Sequence, residues 1–155
     1  MIYRDKNVTV PKYNGLEVRE LNEKDLPLIW SFRRYGGCAD CHVKALEGAF
    51  SGKANTGLRG FGVFKNAEII CYALPCLDII RDIKKYDIGG IFTIDDHKKR
   101  EAVELIWKYI IDICLKEGST IGNSNAHEDE NDPLGVESCE RMGLVKIAKN
   151  CRYTK

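Results

Sequence analysis

The stretch from Ile88 to Lys116 constrains this chain more than any other. Ile88–Ile94 is short and rich in apolar and β-branched residues, the make-up of a buried strand. After a polar turn, Lys99–Lys116 carries Val103, Ile106, Ile110, Ile111 and Cys114 at the spacing of one helical face, and Gly118 stands where a helix stop belongs. A strand running directly into an amphipathic helix needs a sheet to join and a face for the helix to cover, so the fold class is α/β.

The flanking sequence supplies the rest of that sheet. Leu16–Glu20 alternates apolar and polar residues, which predicts a first core strand. Asn22–Asp25 offers a cap to a helix carrying Leu26, Leu28, Ile29 and Phe32, with Pro27 tolerated in its first turn and Gly36-Gly37 as its stop. Val43–Phe50 reads as a second short helix. Phe61–Phe64 and Ile69–Leu74 flank the polar Lys65–Glu68 as the arms of a hairpin, the second arm ending at Pro75. Leu77, Ile79, Ile80 and Ile83 suit a helical turn or two. Thr120-Ile121 opens another strand, Pro133–Met142 makes a helix closed by Gly143, and Leu144–Ala148 is the last strand. The order is β-α-α-β-β-β-α-β-α-β, with no internal repeat or interdomain linker.

At 155 residues the chain has the size of a single domain, residues 1–155 with a core from about Leu16 to Ala148. Its 24 basic and 23 acidic residues create no general attraction for phosphate backbones, which argues against a nucleic-acid partner. No apolar run approaches the ~20 residues needed to cross a bilayer. Met1–Pro11 places Arg4, Asp5 and Lys6 where a secretory signal requires apolar residues. The seven cysteines are odd in number and irregularly spaced, which predicts reduced thiols and a cytoplasmic location.

Two segments, Ile91-Phe-Thr-Ile-Asp-Asp-His-Lys-Lys-Arg-Glu-Ala-Val-Glu-Leu105 and Asp132-Pro-Leu-Gly-Val-Glu-Ser-Cys-Glu-Arg-Met-Gly-Leu144, resemble the acyl-CoA loop and the following helix of the GNAT N-acetyltransferase superfamily. The family's loop pattern, [Q/R]-x-x-G-x-[G/A], falls on Lys99 through Glu104, with Ala102 at the glycine. Its second pattern, N-x-x-A-x-x-x-Y-x-x-x-G-F, puts Asp132 at the asparagine, Gly135 at the alanine, Cys139 at the tyrosine and Gly143-Leu144 at the closing pair. The resemblance implies a single-domain, mixed, mostly antiparallel sheet flanked by helices. It also implies transfer of an acetyl group from acetyl-CoA to a primary amine of a small molecule or peptide.

That resemblance assigns roles residue by residue. Backbone groups of Phe92, Thr93 and Ile94 would pair with the pantetheine arm, and one amide there would polarise the thioester carbonyl. A helix that starts after a buried strand offers unpaired N–H groups to a pyrophosphate. Lys99, Arg100, Glu101, Ala102, Val103 and Glu104 form that first part of the helix, and Asp132 stands at the second motif. Lys98, Lys99 and Arg100 add positive charge, Ala102 is small enough for close approach, and the Glu104 carboxylate repels phosphate unless it points away. Cys139 occupies the position of the tyrosine that protonates the leaving thiolate. Ile88 stands where some members carry a basic carboxylate. Asp87, next to it, faces the opposite side unless a bulge shifts the register.

Cys38-Ala39-Asp40-Cys41-His42 matches the C-x-x-C-H pattern of haem attachment, which the missing export signal and axial-ligand segment oppose. Zinc would need Cys38 and Cys41 to meet Cys71 and Cys76, or His42. The alternative to an enzyme is therefore a non-catalytic module of the same fold that senses CoA, metal or thiol state through the Cys38–Cys41 loop. His127–Asp132 is an acidic run that reads as solvated loop charge or as an attraction for a cationic amine. The short tail after Leu144 leaves little room for the family's closing strand, so Tyr3–Val10 or the partner subunit of a homodimer would have to cover that edge.

Overall fold

The computed structural model describes residues 1–35, 38–53, 57–80, 82–94, 99–123, 126 and 134–147. Seven strands form one sheet: β1 (Ile2–Tyr3), β2 (Glu17–Glu20), β3 (Phe61–Lys65), β4 (Glu68–Ile80), β5 (Ile83–Thr93), β6 (Thr120–Gly122) and β7 (Leu144–Val145). Among the described residues the α-helices are α1 (Leu26–Trp30), α2 (Ala39–Phe50), α3 (Lys99–Lys116) and α4 (Val136–Arg141). The strands lie in the order β2-β3-β4-β5-β6-β1-β7. Every pair is antiparallel except β5 and β6, which run parallel and are joined through α3.

Each face of the sheet carries its own core. On one, Val103, Ile106, Trp107, Ile110 and Ile111 of α3 pack on Phe61, Val63, Ala73, Ile88 and Ile121, the helical stripe legible in the sequence. On the other, Ile29, Phe32 and Leu46 pack on Leu21, Phe64, Tyr72 and Leu74. The entry to α1 is built as the capping sequence predicts. The Asn22 side chain accepts from the Lys24 amide at 3.0 Å, and Asp25 Oδ2 accepts from the Asn22 amide at 2.8 Å. The helix itself is short, flanked by 3₁₀ turns at Glu23–Asp25 and Ser31–Tyr35; its expected stop at Gly36-Gly37 lies outside the described residues.

Three expectations are corrected. Pro75 does not end β4, which runs on to Ile80. The pairing continues past the proline through its carbonyl, which accepts from the Arg59 amide at 3.0 Å, and the ladder to β5 shifts register at the same point. Leu77–Ile83 is not helical: Ile79 pairs with Lys84 and Ile80 with Ile83 in a two-residue turn where Asp82 takes φ 65°. Four apolar residues in that short run cannot outweigh cross-strand pairing, and the hairpin leaves Ile79 and Ile83 exposed. Finally, α2 starts at Ala39, so Cys38 is its N-cap residue and Cys41 lies in its first turn rather than in a loop.

The slot between β6 and β7 is filled by the start of the chain. Ile2 pairs with Gly122 of β6 and with Val145 of β7, and Tyr3 with Leu144. The expected cover was Tyr3–Val10 or a partner subunit; of that segment only Tyr3 lies in β1.

Candidate active site

The parallel pair stops early. β5 and β6 are in register at Lys85–Thr120, Tyr86–Ile121 and Asp87–Gly122. Beyond Gly122 the chain turns to β1, where the Asn123 amide donates to Met1 O at 3.0 Å. β5 continues alone to Thr93, paired only with β4. Among the described residues, no strand takes up the backbone groups of Ile88–Thr93 on the β6 side, so the sheet opens into a V there.

A bulge sits at the mouth of that V. Pro75 pairs with Ile88 and Ala73 with Ile91, so Gly89 and Gly90 together oppose Leu74. Because of the extra residue, Ile88 and Ile91 both pack on the α3 side despite their odd spacing. Gly89 is exposed, and a Cβ built on it would meet nothing within 4 Å. Backbone can thus be approached closely there. The Gly89-Gly90 doublet is the sequence signal for this feature, and reading the run simply as a regular strand passed over it.

α3 begins close behind, at Lys99. Its first four N–H groups have no partner within the helix. Arg100 and Glu101 are exposed, whereas Ala102 and Val103 are buried at 2% and 6% exposure. Helical periodicity turns the Ala102 methyl into the core. The Glu104 Oε2 accepts from the Tyr13 hydroxyl at 2.5 Å. That hydrogen bond, with burial, pushes the Tyr13 phenol up to about 12. Lys98, His97, Asp132 and the acidic run His127–Asp132 lie outside the described residues.

The two expected catalytic side chains lie on α4 and β5 and are each engaged by neighbours. Cys139 is fully buried, its Sγ 3.5 Å from Leu134 O and 3.6 Å from Asn123 Nδ2, on the short α4. Strand alternation puts Asp87 on the face opposite Tyr86 and Ile88, its Oδ2 3.4 Å from Lys85 Nζ.

A different cluster stands beside the V. The pair Tyr72 of β4 and Phe92 of β5 lie opposite each other with stacked rings, centroids 4.8 Å apart. His42 of α2 packs on both, 4.4 Å from Phe92, and its Nδ1 is 2.8 Å from the Tyr72 hydroxyl. Burial lowers the imidazole pKa below its usual value and raises that of the Tyr72 phenol. Neither residue belongs to the two acyltransferase motifs; the sequence brings His42 forward only with the cysteine pair, as a haem-pattern residue or zinc ligand.

Beside His42, Cys38 and Cys41 form a disulfide, with Cα atoms 5.3 Å apart and both residues exposed. The expectation of reduced thiols throughout is thereby corrected: a C-x-x-C pair at the start of a helix brings its sulfurs within bonding reach. Cys71, Cys76, Cys114 and Cys139 are outside any disulfide. Among the described residues no group of three or more His, Cys, Asp or Glu is placed to hold a metal ion, and Cys71 and Cys76 do not join Cys38 and Cys41.

No family model matches the sequence, and no curated protein is detectably similar to it. Solved structures are. The aminoglycoside N-acetyltransferase AAC(6')-Iy in complex with CoA aligns over 95% of this chain and 99% of its own, with a TM-score of 0.70 and 15% identity. A possible acetyltransferase from Clostridium difficile 630 aligns over 92% and 98%, at 0.67 and 14%. A predicted acetyltransferase with acetyl-CoA from Clostridium acetobutylicum aligns over 90% and 96%, at 0.65 and 12%. The chain has the GNAT acetyltransferase fold. No helix among the described residues is long and apolar enough to cross a membrane.

Proposed function

We propose that this chain is an acetyl-CoA-dependent N-acetyltransferase acting on a primary amine of a small molecule. The observation that carries this reading is the open V between β5 and β6, with a glycine bulge at its mouth and the start of α3 behind it. Phe92, Thr93 and Ile94 offer backbone groups to a pantetheine arm laid along β5 as an added strand. An amide of the bulged segment, freed from the ladder, suits the developing oxyanion of the thioester. The amides of Lys99, Arg100, Glu101 and Ala102, with the exposed Arg100 side chain, suit the pyrophosphate. All of these contacts except the guanidinium use main chain, so the site tolerates the drift of side chains in the loop.

The aminoglycoside acetyltransferases among the similar structures support a small-molecule amine over a peptide. Use of acetyl-CoA fits a cytoplasmic enzyme. The exposed Cys38–Cys41 disulfide fits that compartment as a labile, exchangeable bond rather than as a permanent staple.

The burial of Cys139 and the pairing of Asp87 with Lys85 favour a second reading, a non-catalytic CoA-binding module. One experiment separates the two: thermal unfolding with and without acetyl-CoA, followed by thiol release from acetyl-CoA over a panel of primary amines. Acetyl-CoA at 100 times its dissociation constant adds about 2.7 kcal/mol of stability, and the enzyme reading requires amine-dependent release of thiol. Stabilisation without release on any amine supports the module, and no stabilisation at millimolar acetyl-CoA sinks both.

A further inference from the structure

We propose that His42 is the general base of this site, accepting the proton of the acceptor amine on Nε2 while Tyr72 holds the ring through Nδ1. The inference rests on the acetyltransferase reading above and adds the acceptor side, for which the sequence motifs supply no group. Its basis is a geometry that links the imidazole to the bulge. A Cβ on Gly90 would lie 2.5 Å from Phe92 Cζ, so the Phe92 ring lies directly over the bulged segment. His42 rests on that ring at 4.4 Å between centroids, tilted by 46°. The imidazole thus stands one ring away from the backbone that would hold the thioester carbonyl.

The ring is fixed from two sides and open on its third. Nδ1 is engaged by the Tyr72 hydroxyl, whose residue is 1% exposed and is itself wedged between Phe92 and Phe32, the latter at 4.9 Å. Among the described residues none hydrogen bonds to Nε2, and His42 is half-buried rather than enclosed. With the ring proton on Nδ1 donated to Tyr72 Oη, the Nε2 lone pair is available. Taking a proton there leaves the bond to Tyr72 intact, so no rearrangement accompanies the step. Position is secured by the main chain as well: the His42 amide donates to Cys38 O at 3.1 Å, closing the first turn of α2 that the Cys38–Cys41 disulfide clamps.

The step balances as follows. The neutral amine nitrogen attacks the thioester carbonyl carbon, the new C–N bond forms, and the nitrogen proton passes to His42 Nε2. The C–S bond then breaks with its electron pair on sulfur. The imidazolium returns the proton through solvent to the CoA thiolate, whose pKa of roughly 8.5, taking a cysteine thiol as reference, exceeds that of an ordinary imidazole, about 6.5. Burial lowers the His42 value further, which speeds that return. The groups that face the ring are Tyr72 from β4 and Phe92 from β5; on α2 the neighbouring sulfurs are tied in the disulfide, and Asp40 is engaged by Arg33 and Trp30.

The test uses the full chain and the panel amine that it acetylates fastest. His42→Asn keeps a donor to Tyr72 but has nothing at the Nε2 position; Tyr72→Phe keeps the stack and removes the hydroxyl. His42→Asn is expected to lower kcat by 10²–10⁴-fold with the affinity for CoA, measured by calorimetry, unchanged. The acidic limb of the wild-type pH–rate profile should disappear in that variant, and free imidazole should restore part of the rate to His42→Ala. In the free protein, nitrogen NMR should find the His42 ring titrating below about 6.5 and moving in Tyr72→Phe. Acetyl transfer by His42→Asn within threefold of wild type, with the acidic limb retained, overturns the inference and leaves the acetyltransferase reading standing. Absence of transfer to every amine by the wild-type chain overturns both.

Discussion

Asp25 shows how much of this fold hangs on single polar groups. Its carboxylate receives Arg19 Nη1 and Nη2, each at 2.8 Å, and the Asn22 amide at 2.8 Å, in a residue only 5% exposed. The Arg19 bonds come first among the causes that hold its pKa below the ordinary carboxylate value, against the opposing effect of burial. A depressed folded pKa contributes stability that is complete above the unfolded value of about 3.9 and is lost as pH falls through the folded one. Arg19 keeps 36% of its side-chain exposure, so solvent screens part of the pairing, and the orphaned Asn22 amide and lost cap carry much of the cost. Asp25→Ala should therefore lose about 2 kcal/mol at pH 7 in urea unfolding, and the gap to wild type should narrow below about pH 4. A gap that stays constant or widens on acidification contradicts this account.

At the scale of elements, what periodicity could see it saw, and what depends on pairing it could not. The α3 stripe from Val103 to Cys114 and the alternation of β2 are local patterns, and both elements stand where they were expected. The same holds for the turn between β3 and β4, where Lys65 pairs with Glu68 and Asn66 and Ala67 take φ 51° and 63°. Pro75 and the Leu77–Ile83 hairpin were misread because β4 continues past Ala73 on its pairing with β5 and on bonds with Gly57–Arg59, a fact about register that no local window contains. The placement of β1 is the extreme case: two residues at one end of the chain pair with Gly122 and Leu144 far along it. Gly122 makes that placement testable. A Cβ there would lie 2.5 Å from Met1 O, a backbone atom, whereas one on Gly89 would meet nothing within 4 Å. Gly122→Ala should cost roughly 1–3 kcal/mol by overpacking, with Gly89→Ala close to neutral in thermal unfolding. Equal effects of the two would mean that β1 does not lie in that slot.

For the whole molecule, the sequence motifs point to the proposed cofactor side and carry nothing of the proposed acceptor side, for one physical reason. A site built from main-chain groups needs a strand, a bulge and a helix start in the right order, which Ile88–Val103 displays in its residue pattern. A site built from side chains on α2, β4 and β5 comes together only in three dimensions, so His42, Tyr72 and Phe92 carried no joint signal. Conversely, Cys139 kept the spacing of a motif while its side chain is enclosed by core. The central claim is that CoA lies in the V between β5 and β6, held by backbone. Its most direct test is titration of nitrogen-labelled protein with CoA, following the amide resonances. The account predicts saturable shifts concentrated at Gly89–Ile94 and at Lys99–Ala102, with those of β2 and β3 unmoved. Shifts absent from both segments at millimolar CoA, or concentrated elsewhere in the sheet, would contradict it.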